Sequence, residues 1–108
     1  MPALNKKNKR GILDANVLFT LFNENHELLN RCTVKRIGLF GSFVRNEQSS
    51  KSDVDLLVEF NQATFDNFMT LAFSLEKLFH RKVDLIMPES LSPHILPYVE
   101  KEVRWHEV

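Results

Sequence analysis

The chain has little of what commits a sequence to an oxidising, membrane or polyanion-binding role. Its single cysteine, Cys32, cannot form an internal disulfide, which fits a reducing cytoplasm. Neither sign of charge is in surplus, because 14 Lys and Arg stand against 14 Asp and Glu. A general nucleic-acid binder needs excess cations to neutralise phosphates, and a polybasic membrane-surface protein needs the same, so neither is expected. Apolar runs extend over only a few residues, too few to span a bilayer. No apolar segment follows the basic start, so a signal peptide is not expected. Repeats, low-complexity stretches and an interdomain linker are also lacking. What is present is 108 residues with 44% hydrophobic content, enough for one compact core and too little for two. The expectation is one small soluble cytoplasmic domain.

Residues 1–10, with Lys6, Lys7, Lys9 and Arg10, show no apolar periodicity and read as a flexible basic lead-in to a domain over 11–108. From about Ile12 to Leu29 the apolar residues fall at helical spacing: Leu13, Val17 and Leu21 step by four, with Leu18 and Phe22 on the neighbouring stripe. Asp14 near the start and Arg31 near the end suit the helix dipole. Val34 to Phe40 is short and β-prone and stops at Gly41, which predicts a strand. Asn46 to Ser52 reads as an exposed loop. Val54 to Phe60 is a second strand, whose Leu56, Leu57 and Val58 predict burial on both faces. Phe65 to Phe79 is a long helix, Lys82 to Met87 a third strand stopped by Pro88, and a last helix is expected from Ser92 or Pro93 onward. This alternation predicts an α/β (α+β) domain around a small mixed sheet of three strands or slightly more.

Three carboxylates stand where strands should exclude them. Asp53 and Asp55 flank Val54 at the mouth of the second strand, and residues two apart on a strand share a face. Asp84 sits inside the third strand between Val83 and Leu85, where an unpaired buried carboxylate would be costly. It could pair with Arg81 or Lys82. Alternatively, if the second and third strands are neighbours, all three carboxylates converge and repel unless a cation intervenes. Hard oxygen donors then favour magnesium or manganese. Upstream, Gly41-Ser42 ends the first strand, where a glycine lets the backbone approach an anion closely. Arg45 lies one turn on, within reach of the same phosphates.

Gly41-Ser42, ten residues, then Asp53-x-Asp55 is the signature of the nucleotidyltransferase superfamily that includes DNA polymerase beta. The segments Val34–Phe43, Ser52–Phe60, Thr64–Phe68, Arg81–Ile86 and the tail from Pro88 to Val103 resemble the minimal nucleotidyltransferase domains. That resemblance implies a polymerase beta-like palm core packed by about four helices. It also implies an antitoxin whose partner is an all-helical HEPN-domain ribonuclease toxin, in a hetero-oligomer. The implied activity is magnesium-dependent transfer of AMP from ATP to a tyrosine hydroxyl of that toxin. Asp53 and Asp55 would hold magnesium ions, two in all, that also bind the ATP phosphates. Asp84 would complete the second metal site and help deprotonate the acceptor, while Gly41, Ser42 and Arg45 would hold the triphosphate. One departure from the family pattern is Asn46, where glycine usually follows the arginine; Asn tolerates left-handed backbone, so the turn is expected to survive. Val44 replaces a smaller residue.

A domain this size leaves few residues for an acceptor pocket, so the second substrate is expected to arrive on another protein. On the 65–79 helix the apolar residues spread over more than half the circumference, more than one sheet covers. The excess would pack on a terminal helix or face a partner. His26, His80, His94 and His106 lack metal-ligand spacing. Trp105 is expected as a lid on the core and Cys32 as an inert thiol. Two other functions remain open: a noncatalytic antitoxin that neutralises by binding, and a nucleotidyltransferase for a small-molecule or RNA acceptor. Three converging carboxylates count against the first. Neutral charge and the lack of an acceptor domain count against the second.

Overall fold

A computed structural model describes residues 13–108. The basic lead-in and Ile12 lie outside the described residues. The elements run α1 (Ala15–Glu24), α2 (His26–Arg31), β1 (Val34–Phe40), β2 (Val54–Phe60), α3 (Phe65–Phe79), β3 (Val83–Ile86), α4 (Leu96–Glu102) and β4 (Arg104–Glu107). Single 3-10 turns follow β1 and β3.

The first helical segment, expected as one helix, is two. Asp14 caps α1 by accepting the Val17 N–H at 2.9 Å. At Asn25 the side-chain amide donates to the Leu21 carbonyl at 2.8 Å while the backbone N–H turns to the Leu21 and Phe22 carbonyls. A short polar side chain that bonds its own backbone competes with the helix ladder, and here it ends it. The buried stripe is Val17, Leu18 and Phe22, whereas Leu13 and Leu21 are only half-buried.

The sheet has four strands in the order β3-β2-β1-β4. β1 pairs antiparallel with β2 and with β4, and β2 pairs parallel with β3. β4 was not expected as a strand. The last helix begins only at Leu96, with Pro97 in its first turn, and ends at Glu102, after which Arg104–Glu107 pairs with β1. Its four residues include Arg, His and Glu and carry no run of β-formers, so pairing along β1 determines the strand rather than propensity.

Alternation along the strands gives the sheet two distinct faces. Ile37, Leu39, Val54, Leu56, Val58, Val83 and Leu85 join Leu18 and Phe22 of α1, Leu29 of α2 and Leu71, Leu75 and Phe79 of α3 in one core. The Phe22 ring lies edge-on to Phe79 at 6.1 Å and stacks near His106 at 5.7 Å. Trp105, one residue along, therefore lies on the other face and not over this core. There it crosses Gly38, where a Cβ would stand 2.8 Å from Trp105 Cε3, and carries the Arg36 guanidinium 3.8 Å above its ring. Leu57 and Val99 are buried outside the main core, so this second face is partly covered.

Thr64 caps α3, accepting the Asn67 N–H, and the helix buries Leu71, Leu75 and Phe79. Its broad apolar arc is not fully covered: Phe65 is 77% and Phe73 60% exposed. No helix among the described residues is long and apolar enough to cross a membrane.

Candidate active site

Local sequence brings the site residues together at one end of the sheet. β1 stops at Gly41 because the chain there takes φ +80°, a left-handed conformation that glycine adopts without a Cβ penalty. Gly41–Phe43 then forms a 3-10 turn, with the Val44 N–H on the Gly41 carbonyl at 3.1 Å. Asn46 takes φ +58°, as expected of the residue standing where the family has glycine. Across the β1–β2 pair Phe40 is the partner of Asp55, so the turn hangs directly over the start of β2. A Cβ on Gly41 would stand 2.3 Å from Asp55 Oδ2, closer than any side chain tolerates. Glycine is the only residue that lets this turn lie against that carboxylate.

Asp55 and Asp84 are register partners across the parallel β2–β3 pair, so their side chains leave the same face of adjacent strands. Asp53, exposed, precedes β2 by one residue and shares the side of Asp55. The three carboxylates are electrostatically joined: burial raises the Asp55 pKa, and the charges of Asp84 and then Asp53 raise it further. Arg45 pulls the other way and does not cancel the rise. One expectation needs correction. Asp84 is not buried; β3 is an edge strand and this carboxylate is exposed.

Neither basic neighbour pairs with Asp84 among the described residues. Arg81 instead donates from Nη1 to the carbonyls of Ser49 and Ser52, both at 3.0 Å, and so fastens the loop that delivers Asp53. The Gly41 N–H, expected to face a phosphate, donates to Glu102 Oε2 at 2.8 Å. Arg45 donates from Nη1 to Glu102 Oε1 at 2.6 Å and from Nε to Glu47 at 2.9 Å. The sequence offered Arg81 only as a partner for Asp84, and Glu102 not at all. Arg81 adjoins a recognised strand but bonds backbone carbonyls that carry no residue signal, and Glu102 is 61 positions from its partner Gly41.

The donor set suits a hard divalent cation, since it consists of carboxylate oxygens whose mutual repulsion a cation would relieve. As the side chains stand, no three His, Cys, Asp or Glu among the described residues form a closed metal cage. A cleft of about 250 Å³ lies at the other end of β2, lined by Lys35, Glu59, Phe60, Met87 and Glu89 among others. It contains none of the predicted site residues.

Known proteins are similar to this chain in sequence and in fold. The protein adenylyltransferase MntA of Thermococcus cleftensis is 44% identical over 78 residues, covering 71% of this chain and 79% of that protein. A solved structure provisionally named a minimal nucleotidyltransferase superposes with a TM-score of 0.73 at 30% identity, over 85% of this chain and 95% of that one. A toxin–antitoxin crystal structure with AMP-PNP superposes with a TM-score of 0.63 at 26% identity, over 77% of this chain and 69% of that one. The family model of the nucleotidyltransferase domain matches residues 20–106, a span that runs from α1 into β4 and takes in the turn with Asp53, Asp55 and Asp84; the chain belongs to that family.

Proposed function

We propose that this nucleotidyltransferase is the antitoxin of a HEPN toxin–antitoxin pair and transfers AMP from ATP to a tyrosine hydroxyl of its partner ribonuclease, inactivating it in the cytoplasm. The observation that carries the reading is the Asp55–Asp84 register pair lying beneath the Gly41 turn. The name of the Thermococcus relative and the nucleotide analogue in the toxin–antitoxin crystal support the chemistry and the partner class.

In this reading Gly41 and Ser42 receive the triphosphate, and Arg45 adds positive charge beside it. Asp53, Asp55 and Asp84 would hold magnesium, which when bound would neutralise charge on the phosphates and make the acceptor hydroxyl more acidic. Asp84 takes the acceptor proton: it is exposed, so an incoming hydroxyl has access to it. The acceptor oxygen forms a bond to the α-phosphorus, the bond from that phosphorus to the bridging oxygen breaks, and pyrophosphate leaves with the electron pair. Exposed Phe65 and Phe73 on α3 leave apolar surface available to a protein-borne acceptor.

The test is the intact mass of the helical partner after incubation with this protein, ATP and magnesium, beside an Asp53→Asn control. A gain of one or more AMP units that the control lacks is the expected result. An unchanged mass despite a tight complex would replace this reading with neutralisation by binding.

A further inference from the structure

Glu102, the last residue of α4, bridges two groups of the phosphate turn with its two oxygens. Oε2 accepts the Gly41 N–H and Oε1 accepts from the Arg45 guanidinium. Both bonds are charge-assisted and therefore stronger and more directional than neutral ones. Burial pushes the Glu102 carboxyl up, yet the Gly41 N–H and Arg45 together outweigh it and hold the group below its ordinary value. Gly41 is thus held from two sides, by Glu102 at its N–H and by the Asp55 carboxylate at its Cα.

The backbone beneath Glu102 is itself fixed. The next residue, Val103, packs on Gly38, where a Cβ would stand 2.4 Å from Val103 Cγ2. β4 then pairs with β1 from Leu39↔Arg104 onward, and β1 is the strand that ends at Gly41. Gly41, Leu39, its β4 partner Arg104 and Glu102 therefore form a short circuit across the β1–β4 pairing, and the Glu102 carboxylate closes it. A side chain anchored in this way is suited to hold the turn while phosphate binds, and poorly suited to vacate the site for each nucleotide.

Building on the nucleotidyltransferase reading, we propose that Glu102 is a positioning residue for the nucleotide. It sets Gly41 and Arg45 at a fixed place relative to Asp55, so that the remaining groups of the turn, Ser42 first among them, meet the triphosphate preorganised. The C-terminal α4–β4 unit is on this account part of the nucleotide site.

The experiment is calorimetric binding of a non-hydrolysable ATP analogue with magnesium to the full chain and to its Glu102→Ala and Glu102→Gln variants. Circular dichroism and thermal melting establish that each variant is folded. Alanine removes both acceptors and is expected to weaken binding about tenfold, the scale of one charge-assisted hydrogen bond. Glutamine keeps an acceptor for the Gly41 N–H and is expected to recover part of that loss. If alanine fails to fold, weaker binding by folded glutamine still supports the proposal. Unchanged binding by either folded variant would overturn it. Tighter binding would also overturn it, because the carboxylate would then be competing with phosphate for the same donors. A wild-type chain that binds no nucleotide would instead bring down the nucleotidyltransferase reading, and this proposal with it.

Discussion

Asp55 and Asp84 stand side by side on parallel strands, and no basic side chain is interposed between them among the described residues. Asp55 has its pKa raised by burial, then by Asp84 and Asp53. A carboxyl whose folded pKa lies above its unfolded one contributes most to stability at low pH. That contribution is lost as pH climbs from the unfolded value, and above the folded value a constant penalty remains. At neutral pH the ionised Asp55 therefore destabilises the fold. Asp55→Asn should melt higher than wild type at pH 7, and the difference should shrink as pH falls through the raised folded value, where wild-type Asp55 takes up its proton. The same variant should lose more than about a hundredfold in AMP transfer, since even outer partners of metal ligands cost 10–100-fold. Thermal melts across pH beside the mass assay check both. A lower melting temperature would remove the electrostatic account.

Gly41 joins two constraints that one methyl group would break. Alanine at φ +80° costs on the order of 1–2 kcal/mol, and its Cβ would overlap Asp55 Oδ2. Asp55 is the atom group that must yield, so Gly41→Ala should lower transfer far more than its loss of stability explains. Comparing chemical denaturation with transfer by the folded fraction measures this. Equal losses in both would mean that the glycine serves the backbone alone.

Much of this fold was legible because periodicity and punctuation agreed. β1, β2 and α3 have the limits that Gly41, the loop before Val54 and the Thr64 cap impose. The Asp-x-Asp spacing placed two carboxylates on one side before any topology was known, and Asp84 stood out as a carboxylate inside a β-prone run. What was not legible depended on contacts distant in sequence. β4 exists because β1 offers a free edge to Arg104–Glu107, and Glu102 matters because the return of the chain brings it to Gly41. The break at Asn25 was local but turned on a side-chain bond that apolar spacing does not reveal. Asp84 was expected to be buried because strand interiors usually are; its edge position depended on strand order.

His80 ends α3 in the left-handed conformation, at φ +54°, and is exposed. Glycine is favoured at that place because it has no Cβ to clash with the backbone, whereas a histidine carries the strain. Its side chain makes no hydrogen bond among the described residues that would offset this. His80→Gly should therefore stabilise the protein by about 1 kcal/mol, less the added entropy of the unfolded chain. Urea denaturation at constant m-value reads the change, and a loss of stability would show that the His80 ring makes a contact of its own.

His106 faces Phe22 with its Nε2 buried and without a partner among the described residues, while His26 lies edge-on at 6.3 Å. Burial lowers its pKa, the His26 charge lowers it further, and Glu107 opposes both without prevailing. The unfolded chain thus takes up a proton near pH 6.5 that the folded chain resists, so the stability this histidine confers is complete above that pH and is lost as pH falls through the depressed folded value. Glu59 and Glu102 have the same sign at lower pH. The side-chain bond from Arg36 holds Glu59 below its ordinary value, and the losses from both begin as pH drops below about 4.5. Asp55 acts in the opposite sense, so the comparison is made between wild type and a His106 variant, in which the Asp55 contribution is common to both. Melting temperature should fall between pH 7 and 5.5 in the wild type. His106→Phe, which keeps an aromatic ring against Phe22, should flatten that interval and leave the steeper acid limb below about 4.5 in place. Parallel curves for the two proteins would show that the acid sensitivity lies elsewhere.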